Sequence, residues 1–175
     1  MTSAAYAVHP TPLGDVLLVT TDAGLAALEV LIGPVFAEVA RFGMLLRTVL
    51  VEDAASGADV ARQLDEYFAG ERRQFDVTLD GRLASEFTRR VMSAVSDIPY
   101  GQTAGYAEVA IAAGVPGANR AVGSACGRTP WSIVVPAHRV VRSDGSLGEY
   151  GGRPEHKRLL LELERGHMTE AGPGV

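Results

Sequence analysis

The segment Trp131-Ser132-Ile133-Val134-Val135-Pro136-Ala137-His138-Arg139-Val140-Val141 places the tightest condition on how this chain can fold. An apolar run stops at Pro136, a His-Arg pair follows, and a second apolar pair comes directly after it. Such flanks belong in an interior and carry His138 and Arg139 in with them. Interior polar groups need partners, because a hydrogen-bonding group left unmet costs about 1–3 kcal/mol and an unpaired charge more. Taken alone, the two residues read as a structural pair at the end of a strand. Downstream, Ser143-Asp144-Gly145-Ser146-Leu147-Gly148-Glu149-Tyr150-Gly151-Gly152 is a glycine-rich loop able to bring backbone close to a ligand. It carries no Walker lysine and is not a phosphate cradle. Pro154 then opens a helix expected to run through Arg165, which carries Glu164.

The N-terminal half reads as strands and helices in alternation. Apolar runs at Val16–Val19 and Leu25–Val30 flank a turn-like Thr21-Asp22-Ala23-Gly24. Residues 32–51 read as a helix followed by a strand. Val60, Ala61, Leu64, Tyr67 and Phe68 recur at helical spacing over Ala58–Phe68, with Gly70 as the stop. Phe75, Val77 and Leu79 alternate as in a strand, and Asp80-Gly81 marks a turn and the expected domain boundary. Beyond it, Phe87, Val91, Val95 and Ile98 predict a helix closed by Pro99-Tyr100-Gly101. Thr103 is placed to cap a helix over Ala104–Ala112, Gly114-Val115-Pro116-Gly117 forms a turn, and Ala118–Cys126 forms a second short helix. Two short helices joined by a glycine-containing turn are a helix-turn-helix, or a pair that merely packs in a core. The expected architecture is an α/β N-terminal domain (1–80), a mostly helical C-terminal domain with the helix-turn-helix (81–168) and a disordered tail (169–175).

Charge and cysteine usage narrow the partners. The chain has 175 residues, a formal net charge of −5 and a hydrophobic fraction of 47%, enough for a real core. The acidity is uneven. Residues 1–84 carry six Arg against twelve Asp and Glu, for −6, whereas residues 85–165 carry ten basic against eight acidic residues, for +2. A nucleic-acid face therefore belongs in the C-terminal half, with a modest electrostatic pull. Fifteen of the sixteen basic residues are Arg, whose planar fork suits phosphates and bases. No apolar run approaches the ~20 residues of a membrane span, and the N-terminus lacks the pattern of a secretory signal. A single cysteine, Cys126, excludes an internal disulfide and fits a reducing cytoplasm. One Cys and four scattered His form no zinc-type cluster, and no metal or cofactor is expected.

The motifs IPYGQTAGY, ANRAVGSA, VVPAHRVV, SDGSLGEYGG and HKRLLLELE occur in that order, after a Pro-Leu-Gly…Gly-Leu pattern and YFAG. The series, from Pro12 to Glu164, resembles the O6-alkylguanine-DNA alkyltransferases, whose segments read Ile-Pro-Tyr-Gly-x-Thr, Ala-x-Arg-Ala-Val-Gly, Pro-Cys-His-Arg-Val, Ser-x-Gly-x-x-Gly-x-Tyr-x-Gly-Gly and Lys-x-x-Leu-Leu. The resemblance implies that the helix-turn-helix enters the minor groove with Arg120, Ala121 and Gly123 at the DNA. Arg120 matches the finger that fills the space of a flipped base, and Tyr106 the tyrosine that presses on the target phosphate and lines the pocket. Val135, Pro136, Ala137, Tyr150, Gly151 and Gly152, with Tyr106, would enclose the flipped guanine. His138 and Glu164 match the relay that activates the family's cysteine through a water. The layout has a physical reason: an alkyl group on O6 is out of reach inside a stacked duplex, so the base must be extruded at a cost of a few kcal/mol. Transfer then needs a thiol whose proton an adjacent base removes.

Two residues depart from the family pattern. Ala137 stands where the cysteine belongs, and a methyl group cannot attack carbon. Thr129 replaces the asparagine before the proline, offering fewer hydrogen-bonding groups. The leading expectation is a monomeric, cytoplasmic, nucleoid-associated protein that binds O6-alkylguanine in double-stranded DNA by base flipping, without alkyl transfer, and flags it for nucleotide excision repair proteins. This is the pattern of the alkyltransferase-like proteins. The alternatives are a methylated-DNA–protein-cysteine S-methyltransferase in a Cys→Ala form and a helix-turn-helix transcription regulator. Cys126, at the end of the second short helix, reads as an inert core residue.

Overall fold

The computed structural model describes residues 3–148, 150 and 153–170. It divides into two compact units, Met1–Ser85 with Pro130–Val134, and Glu86–Thr129 with Val135–Val175. The first is built on a four-stranded sheet in the order β3-β2-β1-β4, from β1 (Ala4–Thr11), β2 (Gly14–Thr21), β3 (Gly24–Val30) and β4 (Val51–Glu52). The first three form an antiparallel meander and β4 adds in parallel to β1. β1 carries no strand signal of its own, since its alanines are poor strand formers. Its continuous register with β2, from Ala4 opposite Thr21 to Thr11 opposite Gly14, overrides that preference.

Val16–Val19 are all fully buried, so β2 is covered on both faces. Leu17 and Val19 pack with Phe42 of α1 (Val35–Leu46), together with Ala4, Ala26, Ala27 and Leu50. Leu18 points to the opposite face by strand alternation. There it meets the start of α2 (Ala58–Phe68), where a Cβ on Gly57 would lie 3.0 Å from Leu18 Cδ1. Residues 32–51 thus resolve as a helix and then a strand, and α2 has the bounds read from its periodicity.

Phe75, Val77 and Leu79 do not form a strand. Only Leu79 makes a bridge, to Leu25, through Leu25 N–H to Thr78 O (2.8 Å) and Asp80 N–H to Leu25 O (2.9 Å). The rest of the segment is held by a side chain: buried Gln63 donates to Asp76 O at 2.9 Å and accepts from Asp76 N–H at 2.8 Å. The first unit runs on past Asp80 and Gly81 to Ser85. The Asp80 carboxylate is anchored by the Thr21 hydroxyl (2.6 Å) and Arg82 Nε (2.6 Å). The returning segment docks beside β3, with Leu28 N–H donating to Pro130 O (2.7 Å) and Trp131 Nε1 to Leu25 O (2.9 Å). The apolar run is buried but turned: Ile133, 1% exposed, has φ +70°, so Trp131–Val135 is not a strand.

The second unit contains α3 (Glu86–Ser96), β5 (Ala104–Gly105), α4 (Tyr106–Ala112), α5 (Asn119–Gly127), a 3-10 turn (Ala137–Arg139), β6 (Val140–Val141) and α6 (Pro154–Glu170). α4 and α5, joined by residues 113–118, form the expected helix-turn-helix pair and pack on α3. Thr103 is not the cap of α4. Ala104 and Gly105 are drawn into a parallel pair with Val140 and Val141, and the helix begins at Tyr106. α6 passes the expected end at Arg165 and includes Thr169 and Glu170, two residues of the expected tail. Gly166 is tolerated inside it, and the first strong breakers in sequence are Gly172-Pro173. Residues 171–175 lie outside those described.

Gly24 tests the docking of residues 75–80. Its φ is +133°, and a Cβ there would fall 2.3 Å from the carbonyl oxygen of Thr78. Gly24→Ala is expected to cost at least about 1–3 kcal/mol from backbone strain and displaced carbonyl together, measured as a lower urea midpoint; an unchanged midpoint would show the contact to be slack.

Candidate functional site

The polar cluster of the second unit is assembled by α6. Lys157, Leu160, Leu161 and Glu164 follow i, i+3, i+4, i+7 spacing and are all buried, so the helix turns two charged residues inward along its apolar stripe. Glu164 meets both members of the His-Arg pair. Its carboxylate accepts from His138 Nε2 (2.8 Å), from Arg139 Nε (3.0 Å) and Nη2 (2.9 Å), and from the backbone N–H of Gly101 (3.1 Å). Arg139 Nη1 donates to Ile98 O (2.7 Å), and its guanidinium lies 5.5 Å from the Tyr100 ring centroid. One carboxylate thus ties the 3-10 turn to the Pro99-Tyr100-Gly101 turn after α3.

These contacts fix protonation states. Burial pushes the Glu164 carboxyl upward, but the donors on His138 and Arg139 outweigh it and hold the group at about 2. Burial drives His138 below the usual imidazole range despite Glu164, so the ring is neutral at pH 7. A neutral ring facing an ionised carboxylate must place its proton on Nε2, which donates to Glu164. Nδ1 is then a bare lone pair, and it is buried with no hydrogen-bond partner among the described residues. The arrangement is a desolvated base, oriented by a carboxylate, with its accepting atom open.

Ala137 precedes that base in the 3-10 turn and is 1% exposed. Val135, Pro136 and Tyr150 are buried as well, and the Tyr150 ring stands edge-on to His138 at 6.4 Å. Gly151 and Gly152 lie outside the described residues. Tyr106, Arg120 and Gly123 line one wall of an open groove of about 980 Å³ that Arg128, Arg142 and Asp144 complete. Ala121 is exposed on α5 and does not line that groove. Cys126 is buried on α5, and burial pushes its thiol up to about 11 although the Lys157 cation opposes this. At neutral pH it is a thiol, not a thiolate nucleophile.

Sequence reasoning missed four contributors. Arg139 was noted as half of a buried pair, yet it supplies two of the donors to Glu164. Lys157, fully buried, donates to Val140 O, and burial lowers its ammonium to about 8. The signal for it was a charged residue on the apolar stripe of α6. Arg128 and Arg142 face the groove from elements distant in sequence, which no local pattern reveals. Among the described residues, no group of three or more His, Cys, Asp or Glu is placed to hold a metal ion.

Comparison with known proteins covers both units. Residues 86–166 match the family model described as 6-O-methylguanine DNA methyltransferase, DNA binding domain, and residues 4–81 match its ribonuclease-like domain. The chain is 50% identical over 121 residues to a methylated-DNA–protein-cysteine methyltransferase of Mycolicibacterium paratuberculosis, covering 69% of this chain and 73% of the relative. It is 38% identical over 159 residues to the protein of the same name from Methanosarcina acetivorans, covering 91% and 97%. The Mycobacterium tuberculosis OGT crystallised in complex with DNA is similar at a TM-score of 0.80 and 39% identity, over 93% of this chain and 94% of that one.

Glu164 sets a pH limit on stability. Its folded value of about 2 lies below the ordinary 4.5, so its contribution is complete above pH 4.5 and is lost as pH falls from there towards 2. That gap is worth about 3 kcal/mol. Glu164→Gln is expected to cost about 3–5 kcal/mol at pH 7 by stranding Arg139, and to flatten the fall in stability across that window. Urea unfolding at several pH values reads both effects; a wild-type slope surviving in Glu164→Gln would assign the acid sensitivity to other carboxylates.

Proposed function

The chain belongs to the 6-O-methylguanine DNA methyltransferase family, and from that premise we propose that it recognises O6-alkylguanine in duplex DNA by base flipping without accepting the alkyl group. The observation that carries the proposal is Ala137. The residue sits buried in the 3-10 turn, directly before the oriented base His138, where the family's Pro-Cys-His-Arg-Val segment has its nucleophile. A methyl side chain has no lone pair to attack carbon, whatever His138 and Glu164 do.

In the same reading, the residues around that substitution serve recognition. In this reading α5 lies in the minor groove, with Ala121 and Gly123 small enough for close approach. Arg120 fills the gap left by the extruded base, and stacking of its guanidinium offsets part of the few kcal/mol of lost pairing. Tyr106 presses on the target phosphate. Val135, Pro136, Ala137 and Tyr150 enclose the base. Arg120, Arg128 and Arg142 along the groove supply phosphate contacts in a unit whose overall charge is only mildly positive. The similar Mycobacterium tuberculosis protein crystallised with DNA supports DNA as the partner. The protein acts as a monomer on the nucleoid, and nucleotide excision repair proteins complete the repair.

The intact His138–Glu164 pair favours a second reading, a methylated-DNA–protein-cysteine S-methyltransferase in a Cys→Ala form. Restoring the thiol distinguishes them. With wild type, intact mass after incubation with O6-methylguanine duplex is expected to show no methyl gain, and a gain on Cys126 would overturn the assignment. Ala137→Cys is expected to take up radiolabelled methyl stoichiometrically, and Ala137→Cys/His138→Ala to lose that uptake. Absence of transfer by the single variant, despite tight lesion binding, would mean that the pocket has diverged beyond one substitution. Arg120→Ala is expected to weaken lesion binding by about 1–3 kcal/mol. The salt dependence should correspond to about two to four released counterions; a slope typical of a strongly basic repressor would contradict the charge map.

A further inference from the structure

Tyr106 is seated from three directions within the second unit. On the α5 side, a Cβ on Gly123 would lie 3.7 Å from Tyr106 Cε1. On the α6 side, Lys157 Nζ lies 5.8 Å from the ring centroid. The third wall is the loop after β6. A Cβ on Gly148 would fall 2.6 Å from the tyrosine hydroxyl oxygen and 3.3 Å from Cζ and Cε2. Real side chains do not approach that closely, so the tyrosine rests against a bare stretch of backbone that only glycine leaves open.

The loop behind that stop is braced. Arg142 N–H donates to Ser146 O and Gly145 N–H to Arg142 O, each at 2.9 Å. The Asp144 carboxylate accepts from Ser146 N–H (2.9 Å) and from the Ser146 hydroxyl (2.6 Å). A push on Gly148 is therefore met by a stiffened turn rather than a slack segment. Conformation alone does not account for the glycine. Gly148 has φ +68°, but Gly145, three residues earlier, has φ +82° and nothing within 4 Å of its Cβ position. The two share a left-handed backbone, and Gly148 alone has the tyrosine in front of it.

We propose that Gly148 is a positioning residue for Tyr106: its bare backbone is the stop that sets where the ring stands on the groove wall, and through that ring it governs lesion recognition. The proposal rests on the reading that Tyr106 engages the extruded nucleotide. Arg120, Arg128 and Arg142 line the groove and Gly148 does not, so bulk attraction to undamaged duplex is expected to be independent of the stop. The predicted signature is a loss of discrimination rather than a general loss of DNA affinity.

The test compares Gly148→Ala with Gly145→Ala, each alone and in a Tyr106→Phe background. Gly145→Ala carries the same backbone penalty without the contact. The chain has five tyrosines, so the fluorine resonance of Tyr106 in 3-fluorotyrosine-labelled protein is assigned by its loss in Tyr106→Phe. In DNA-free protein, Gly148→Ala is expected to shift that resonance and Gly145→Ala to leave it in place. Affinity for O6-methylguanine duplex should fall about fivefold or more in Gly148→Ala, a scale expected for coupled residues in contact. Affinity for undamaged duplex should stay within about twofold. In the Tyr106→Phe background, the added effect of Gly148→Ala should shrink to that of Gly145→Ala. An unmoved resonance overturns the proposal, as does an equal loss in both alanine variants or an undiminished loss without the hydroxyl. If wild type shows no lesion preference, the proposed function fails instead, and the resonance still decides whether Gly148 positions the tyrosine.

Discussion

Everything distinctive in the second unit is organised around one buried carboxylate. Glu164 is fully inaccessible and ionised, a state that is unfavourable by several kcal/mol without strong partners. Its donors include an imidazole, two guanidinium nitrogens and a backbone amide. Arg139 neutralises the charge, so His138 need not, and the ring can remain neutral. With Met in place of Arg139, the carboxylate would lack that cation and would favour a proton on the imidazole instead. Buried ion pairs of this kind add little stability over an apolar core; what they supply is a fixed arrangement. Here the fixed arrangement is a base whose accepting atom is held in place by contacts made on its other side.

In the proposed reading, that network explains how recognition and chemistry come apart. The groove walls belong to α4, α5 and the loop after β6, whereas the Glu164 cluster belongs to α6, the 3-10 turn and the end of α3. A substitution at Ala137 removes no side chain that lines the groove and no partner of Glu164. An alanine at that position therefore leaves the partners of Glu164 and the lining of the groove where they are. In the proposed reading, the family's fold tolerates a non-reacting member because the reacting atom supports nothing else.

The parts of this structure legible in sequence are those set by neighbours along the chain. The β2–β3 hairpin followed from two apolar runs around Thr21–Gly24, and α2 from apolar residues at helical spacing. Both patterns report burial on a face. The misses have long-range causes. β1 exists because eight residues of β2 pair with it, although its alanines disfavour a strand. The alternation of Phe75, Val77 and Leu79 resembles a strand, but the backbone there is captured by Gln63 from α2. Thr103 has the chemistry of a cap, yet pairing of Ala104 and Gly105 with Val140 and Val141 moves the helix start past it. In the candidate site, the demand of His138 and Arg139 for a partner was legible, but the identity of that partner was not. Glu164 lies 25 and 26 residues away, and only the family resemblance pointed to it.

The His138 ring gives this arrangement its remaining asymmetry. A buried nitrogen without a partner costs on the order of 1–3 kcal/mol, and proteins that carry such a group ordinarily fill the vacancy or replace the residue. His138 Nε2 is committed to Glu164, and the imidazole stands nearly perpendicular to the Tyr150 ring at 6.4 Å. Replacing His138 by an apolar residue would take one donor from a buried carboxylate. The imidazole is thus retained by the structural needs of the carboxylate even where Ala137 offers it nothing to deprotonate. The His138–Glu164 contact thus stands on structural grounds, and in the proposed reading the side chain at position 137 decides the chemistry.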